Sequence, residues 1–138
     1  MSADRLKGMV VRMAGEYPDS PLVKSGLESI TIQSVFAASA EGDPLGRELS
    51  ACTARFFATA LRNLTLMFNP EEVVFQGDYA HIDEHFRETL FDELRAFRYY
   101  GDSQRPFELV VDKRSILELT TLGAYTLLID RLFSDEMI

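Results

Sequence analysis

Two histidines bracket an acid in His81-Ile82-Asp83-Glu84-His85. This is the H-x-x-E-H spacing, in which imidazoles one helical turn apart hold zinc and the glutamate serves as base. Such a site also needs a third ligand and an enzyme scaffold around it. Here Ile82 opens an apolar stripe and no particular acid is singled out as the third ligand, so the five residues read as a solvated helix face with room for adventitious zinc or nickel only. Asp92 and Glu93 resemble a hydrolytic carboxylate pair, but Arg87, Arg95 and Arg98 stand at helical spacing to neutralise them, which favours surface ion pairs. Cys52 falls on an apolar helical stripe with no base in the pattern, and there a thiol behaves as a small hydrophobe. Tyr99-Tyr100 and most of the ten phenylalanines fit core packing. No catalytic residue, metal or cofactor is expected in this chain.

The elements that must position these residues follow from hydrophobic period. Leu6, Met9, Val10 and Met13 make a short amphipathic helix over about 3–14, stopped at Gly15 and Pro18. Asp19 to Glu28 reads as a polar stretch broken by Pro21 and Gly26. Thr31 offers an N-cap for a second short helix through Ile32, Val35 and Phe36, ended by Gly42. Asp43 and Pro44 then open the strongest element, a helix near 25 residues long ending at Asn69-Pro70. Its apolar stripe, Leu45, Leu49, Cys52, Phe56, Ala60, Leu64 and Met67, is widened by Phe57, Leu61 and Phe68, and the whole is expected to be buried as the spine of the core. The period then changes to a β-branched run, 72–76, and returns to helix over 81–97. Gly101 to Pro106 breaks that helix before a second strand, 107–111, and a last helix runs from about 116 to 133. Strand, helix, strand implies parallel pairing.

These elements form one α/β, helix-rich domain over residues 1–138: short helices in 1–42, then in 43–138 the long helix followed by strand-helix-strand-helix. Two strands are too few for an ordinary parallel sheet, which is buried on both faces, and this points to a partial domain. A chain of 138 residues, 46% hydrophobic and 26% charged, folds around a single core, which excludes disordered and disulfide-scaffold classes. The lone cysteine fits a reducing cytosol. No run of ~18 apolar residues exists to span a membrane, so a cytoplasmic location is expected. Net charge is −8, the wrong sign for direct nucleic-acid contact. Residues 1–70 carry seven acids and seven bases, whereas 71–138 carry fifteen and seven; the second half holds the whole excess.

The run Ala40-Glu41-Gly42-Asp43-Pro44-Leu45-Gly46-Arg47-Glu48-Leu49, followed by Ala60-Leu61-Arg62-Asn63-Leu64 and by 67–77, Met-Phe-Asn-Pro-Glu-Glu-Val-Val-Phe-Gln-Gly, resembles the C-terminal region of the ROK family. That family comprises sugar-responsive transcriptional repressors, including xylose-type repressors, and sugar kinases. Leu122-Gly123-Ala124 is similar to the family's "L-G-A-A" at the last helix. The resemblance spans nearly the whole chain, and the Asn-Leu and Asn-Pro-Glu region carries its specificity. It implies the tail of an actin-like, ribonuclease-H-like domain whose phosphate loop, sugar-binding segment, zinc motif and winged helix-turn-helix have no counterpart in this sequence. One departure bears on activity: where kinases of the family have two glycines after the strand, this chain has Gly77-Asp78, and a second Cβ with a carboxylate obstructs and repels a phosphate-bearing ligand.

Ligands of open α/β sheets bind beyond the carboxyl ends of strands, which directs attention to Gly77, Asp78 and Tyr79 and to Asp112-Lys113-Arg114-Ser115. Turn and cap chemistry competes for Gly77 and Asp78. The resemblance implies the effector and dimerisation portion of a sugar-responsive regulator, not an enzyme by itself, with the sugar bound only by the complete protein. The alternatives are a fragment of a ROK sugar kinase using ATP, and a stand-alone α/β interaction module. Homo-oligomerisation is expected through the uncovered sheet edge and its helix flanks.

Overall fold

The computed structural model describes residues 2–96, 106–114, 117, 118, 121 and 124. The four isolated residues are helical; the rest of the expected last helix, the Tyr99-Tyr100 pair and residues 101–105 lie outside the described residues. The order is α1 (Ala3–Met13), α2 (Pro21–Lys24), a 3-10 turn (Leu27–Ser29), α3 (Ile32–Ala40), α4 (Pro44–Phe68), β1 (Glu72–Phe75), a second 3-10 turn (Gly77–His81), α5 (Glu84–Arg95) and β2 (Glu108–Val111). Strands β1 and β2 pair in parallel, with Glu72 opposite Glu108 and Phe75 opposite Val111, as the strand-helix-strand pattern requires.

Side-chain caps fix the helix starts. At α3, the Thr31 hydroxyl accepts from Ser34 N at 3.1 Å while the Ser34 hydroxyl accepts from Thr31 N at 2.9 Å, a reciprocal capping box. Asp43 caps α4 by accepting from Gly46 N at 2.8 Å, and the same oxygen accepts from the Ser20 hydroxyl at 2.8 Å, so one carboxylate ties the start of α2 to the start of α4. Asn69 ends α4 in the left-handed conformation at φ 44°, and Pro70 bars its continuation.

Two places depart from the pattern read in the sequence. The stretch 19–28 is ordered locally, because Ser20 caps, Pro21 occupies the first turn and Leu22 anchors it at 4% exposure. The helix expected from His81 begins instead at Glu84: Asp83 is extended at φ −88°, ψ 171° and accepts from Phe86 N, and a cap residue is by nature outside the helix.

A larger correction concerns α4. Its side toward α3 and α5 is lined by small residues, among them Gly46, Ser50, Ala54 and Ala58, together with Leu61 and Thr65, all buried. Short side chains let helix backbones approach closely, and a Cβ built at Gly46 would lie 2.7 Å from Ser39 N. Of the expected stripe, Leu45 and Leu49 are buried, Cys52 is half-buried, and Phe56, Ala60, Leu64 and Met67 are exposed. One core cluster joins α1, α2 and α3 to the start of α4 through Leu6, Val10, Leu22, Val35, Leu45 and Leu49. The other gathers Phe36, Leu61, Phe75, Phe86, Leu90 and Phe107 around the sheet and α5. No helix among the described residues is long and apolar enough to cross a membrane.

Candidate functional site

Register places the carboxyl ends of both strands together, so 76–79 and 112–114 leave the sheet at the same end. Gly77, at φ +62°, takes the backbone into the 3-10 turn, a conformation that favours glycine. Asp78 is exposed and its Oδ1 accepts from Gln33 Nε2 on α3 at 3.1 Å. Tyr79 is half-buried in an aromatic cluster, with its ring centroid 4.8 Å from Phe57 and 6.3 Å from Phe36 in edge-to-face geometry. Burial, and then the neighbouring Asp78 carboxylate, push its phenol above the usual tyrosine range, so it stays protonated at neutral pH.

Asp78 and Tyr79 line a cleft of about 190 Å³ together with the cap residue Ser2, with Ala3 and Leu6 of α1, and with Ile30, Thr31 and Ile32 at the start of α3. Gly77 makes the turn without lining it. Pockets for drug-sized ligands are ~300–1,000 Å³, so the cleft as these residues build it has room for a small group, and Asp78 contributes a carboxylate to its lining.

At the second strand end the charges satisfy one another. Asp112 N continues the ladder by donating to Phe75 O at 2.9 Å, and its carboxylate accepts from Arg114 N at 3.0 Å, from Arg114 Nε at 2.9 Å and from Arg114 Nη2. Hydrogen bonds from Arg114 hold the Asp112 carboxyl down to about 2. Ser115 lies outside the described residues.

The H-x-x-E-H residues are not on one helix. His81 ends the 3-10 turn and His85 lies in the first turn of α5, with the extended cap Asp83 between them; no cluster of three metal-ligating side chains exists among the described residues. Asp92 pairs with Arg95, whereas Glu93 pairs with Arg55 of α4 at 3.5 Å and Arg87 donates to Leu109 O of β2 at 3.3 Å. Arg98 lies outside the described residues. Cys52 faces Glu48, Sγ to Oε1 3.7 Å, and burial followed by that carboxylate raises its thiol above the usual range, which keeps it an unreactive thiol.

Asp83 is the one polar centre that sequence reasoning missed. It is 8% exposed, and its carboxylate accepts from the hydroxyls of Ser39 on α3 at 2.6 Å and Ser50 on α4 at 2.7 Å, besides capping α5. Both serines are sealed, at 1% and 0% exposure, so neither hydroxyl can meet a substrate; the trio clasps three helices. A signal was present: an aspartate immediately before an amphipathic run is a cap, and serines within apolar runs need buried partners.

No family model matches the chain, and no curated protein matches it. Among solved structures, the chain is similar to one described as the ROK family transcriptional regulator, homolog of the E. coli MLC protein, with a TM-score of 0.67 and 21% identity over 82% of this chain. The chain spans 28% of that protein's length. The helix-rich fold with its two-stranded parallel sheet is therefore one found within a ROK-family transcriptional regulator.

Proposed function

We propose that this chain is the C-terminal effector and dimerisation portion of a cytoplasmic, sugar-responsive ROK-type transcriptional regulator, of the xylose-repressor kind, and that it is not catalytic by itself. The observation that carries the reading is the fold likeness to a ROK regulator at TM-score 0.67 over 82% of the chain, joined to the motif resemblance over 40–77.

In this reading the two-stranded sheet belongs to one half of an actin-like domain. Sugar bound by the complete protein shifts the placement of the two halves, and that shift alters the spacing of DNA-reading modules elsewhere. The chain supplies packing and contact surface, and no base-reading residues.

Two measurements test this. The native gene product should retain its own promoter DNA in a mobility-shift assay and release it when one of a panel of hexoses and pentoses is added. Neither Mg-ATP nor those sugars should raise the melting temperature of the 138-residue chain. A clear shift with ATP, or sugar phosphorylation by the native product, would replace the regulator with a sugar kinase.

A further inference from the structure

Residues 2–30 and the body that begins at Thr31 meet along a seam, and on each side of it the helices are finished by their own residues. Ser2 caps α1 and Ser20 caps α2, whereas Thr31, Asp43 and Asp83 cap α3, α4 and α5. Neither side needs the other to satisfy its helix starts. The ion pairs of the first segment, Lys7 with Glu28 and Lys24 with Asp19, also stay within it.

Little that is polar crosses the seam. Among the described residues one hydrogen bond does so, from the Ser20 hydroxyl to Asp43 Oδ2 at 2.8 Å. Breaking it leaves α4 capped, because the same carboxylate oxygen still accepts from Gly46 N. The Arg5 guanidinium stands 5.6 Å from the Phe56 ring centroid. The remaining hold is apolar, with Leu6, Val10, Leu22 and Ile30 packed on Val35, Ala38, Leu45 and Leu49. Clefts interrupt this packing at the start of α1 and past its end. One, of about 190 Å³, is lined from both sides by Ser2 and Ala3 and by Thr31 and Ile32; the other, of about 280 Å³, lies among residues 16–20 with Asp43 and Pro44. Residues 2–30 carry four acids and four bases, so the net −8 of the chain lies wholly outside them and exerts no net pull. The body is held differently, since Asp83 joins α3, α4 and α5 through buried hydrogen bonds.

We propose that residues 2–30 are a strap that opens as one unit while the body clasped by Asp83 stays folded, and that the Ser20–Asp43 hydrogen bond is its latch. The pivot is the Ile30–Thr31 step. Both residues are extended, Ile30 N bonds back to Leu27 O, and Thr31 O is taken by Val35 N ahead of it, so rotation there breaks no backbone bond. Opening uncovers a groove formed by Val35, Ala38, Leu45 and Leu49. The inference does not depend on the regulator reading.

Native-state hydrogen exchange on the whole 138-residue chain, in a series of low urea concentrations, tests it. Amides of α1 and α2 should exchange through one shared opening, at least tenfold faster than those of 45–55 and of α5. Ser20→Ala should speed exchange in α1 about fivefold, as expected for one lost hydrogen bond, and leave α5 unchanged. Thiol labelling checks the groove itself. In a Cys52→Ser background, Val35→Cys lies under the strap and Ala58→Cys within the body, at 0% and 3% exposure of the native side chains. The first should react at least tenfold faster than the second. Exchange of α1, α4 and α5 through a single global opening overturns the proposal. So does a Ser20→Ala effect confined to α2, or equal labelling of the two thiols, which would mean that α1 frays without uncovering the groove.

Discussion

Leu49 and Met67 stand 18 residues apart on α4, five full turns at 3.6 residues per turn, and so point in the same direction from one helix. Leu49 is 1% exposed and Met67 74%. The two halves share a propensity, a stripe and a continuous hydrogen-bond ladder, and differ in what lies over them. Leu49 is covered by the cluster of α1, α2 and α3, which ends near Phe56. An apolar stripe thus states which face needs cover; which neighbour reaches it is settled elsewhere in the chain.

The largest expected effect breaks the covered half. Leu49→Ala should lower unfolding free energy by about 2–5 kcal/mol in urea titration, the range for a buried leucine. Met67→Ala, at a side chain 74% exposed, should change it by no more than ~0.5 kcal/mol. Equal losses would erase the distinction between the halves.

Next in size is the clasp that binds the covered side to its neighbours. Asp83→Ala removes an N-cap and strands two buried hydroxyls, and should cost about 2–4 kcal/mol. Asp83→Asn keeps an acceptor for Phe86 N and should cost less; the same urea titrations compare the two. Gly46→Ala follows, at about 1–3 kcal/mol, because its Cβ would meet Ser39 N at 2.7 Å and Ala38 C at 2.9 Å, and backbone cannot swing away as a side chain can. A stabilised Gly46→Ala protein would show that α3 and α4 are not so close.

The smallest effect lies at the exposed strand end. Hydrogen bonds from Arg114 depress the Asp112 carboxyl to about 2 from an ordinary 3.8. Its stabilising contribution is therefore complete above pH ~4 and fades as pH falls toward 2. Carboxyl-carbon NMR should show a midpoint near 2 for Asp112, and Arg114→Gln should return it toward the ordinary value; a normal midpoint in the wild type would mean that the pair does not form in water.

Much of this architecture was legible because local chemistry is strong at the element ends. Asp43-Pro44 and Asn69-Pro70 bound α4 where expected, Thr31 caps α3, and the β-branched runs pair in parallel. Burial on α4 was not legible. Large side chains suggested the inward face, but backbone proximity to α3 and α5 selects Gly46, Ser50, Ala54 and Ala58 for that side. The clasp was missed for a related reason: Ser39, Ser50 and Asp83 are far apart in sequence, and only packing brings them within 2.7 Å. Of the candidate site, the positions of Asp78 and Tyr79 beside a cleft follow from the strand-end rule, whereas the lining supplied by α1 has no signature at that position.

Hydrogen exchange along α4 tests the central claim, that one helix divides into a half whose stripe lies in the core and a half whose stripe does not. The expected result is that amides of residues 45–55 exchange only through global unfolding while those of 60–68 exchange faster, through local opening. Equal protection along the whole helix would contradict it.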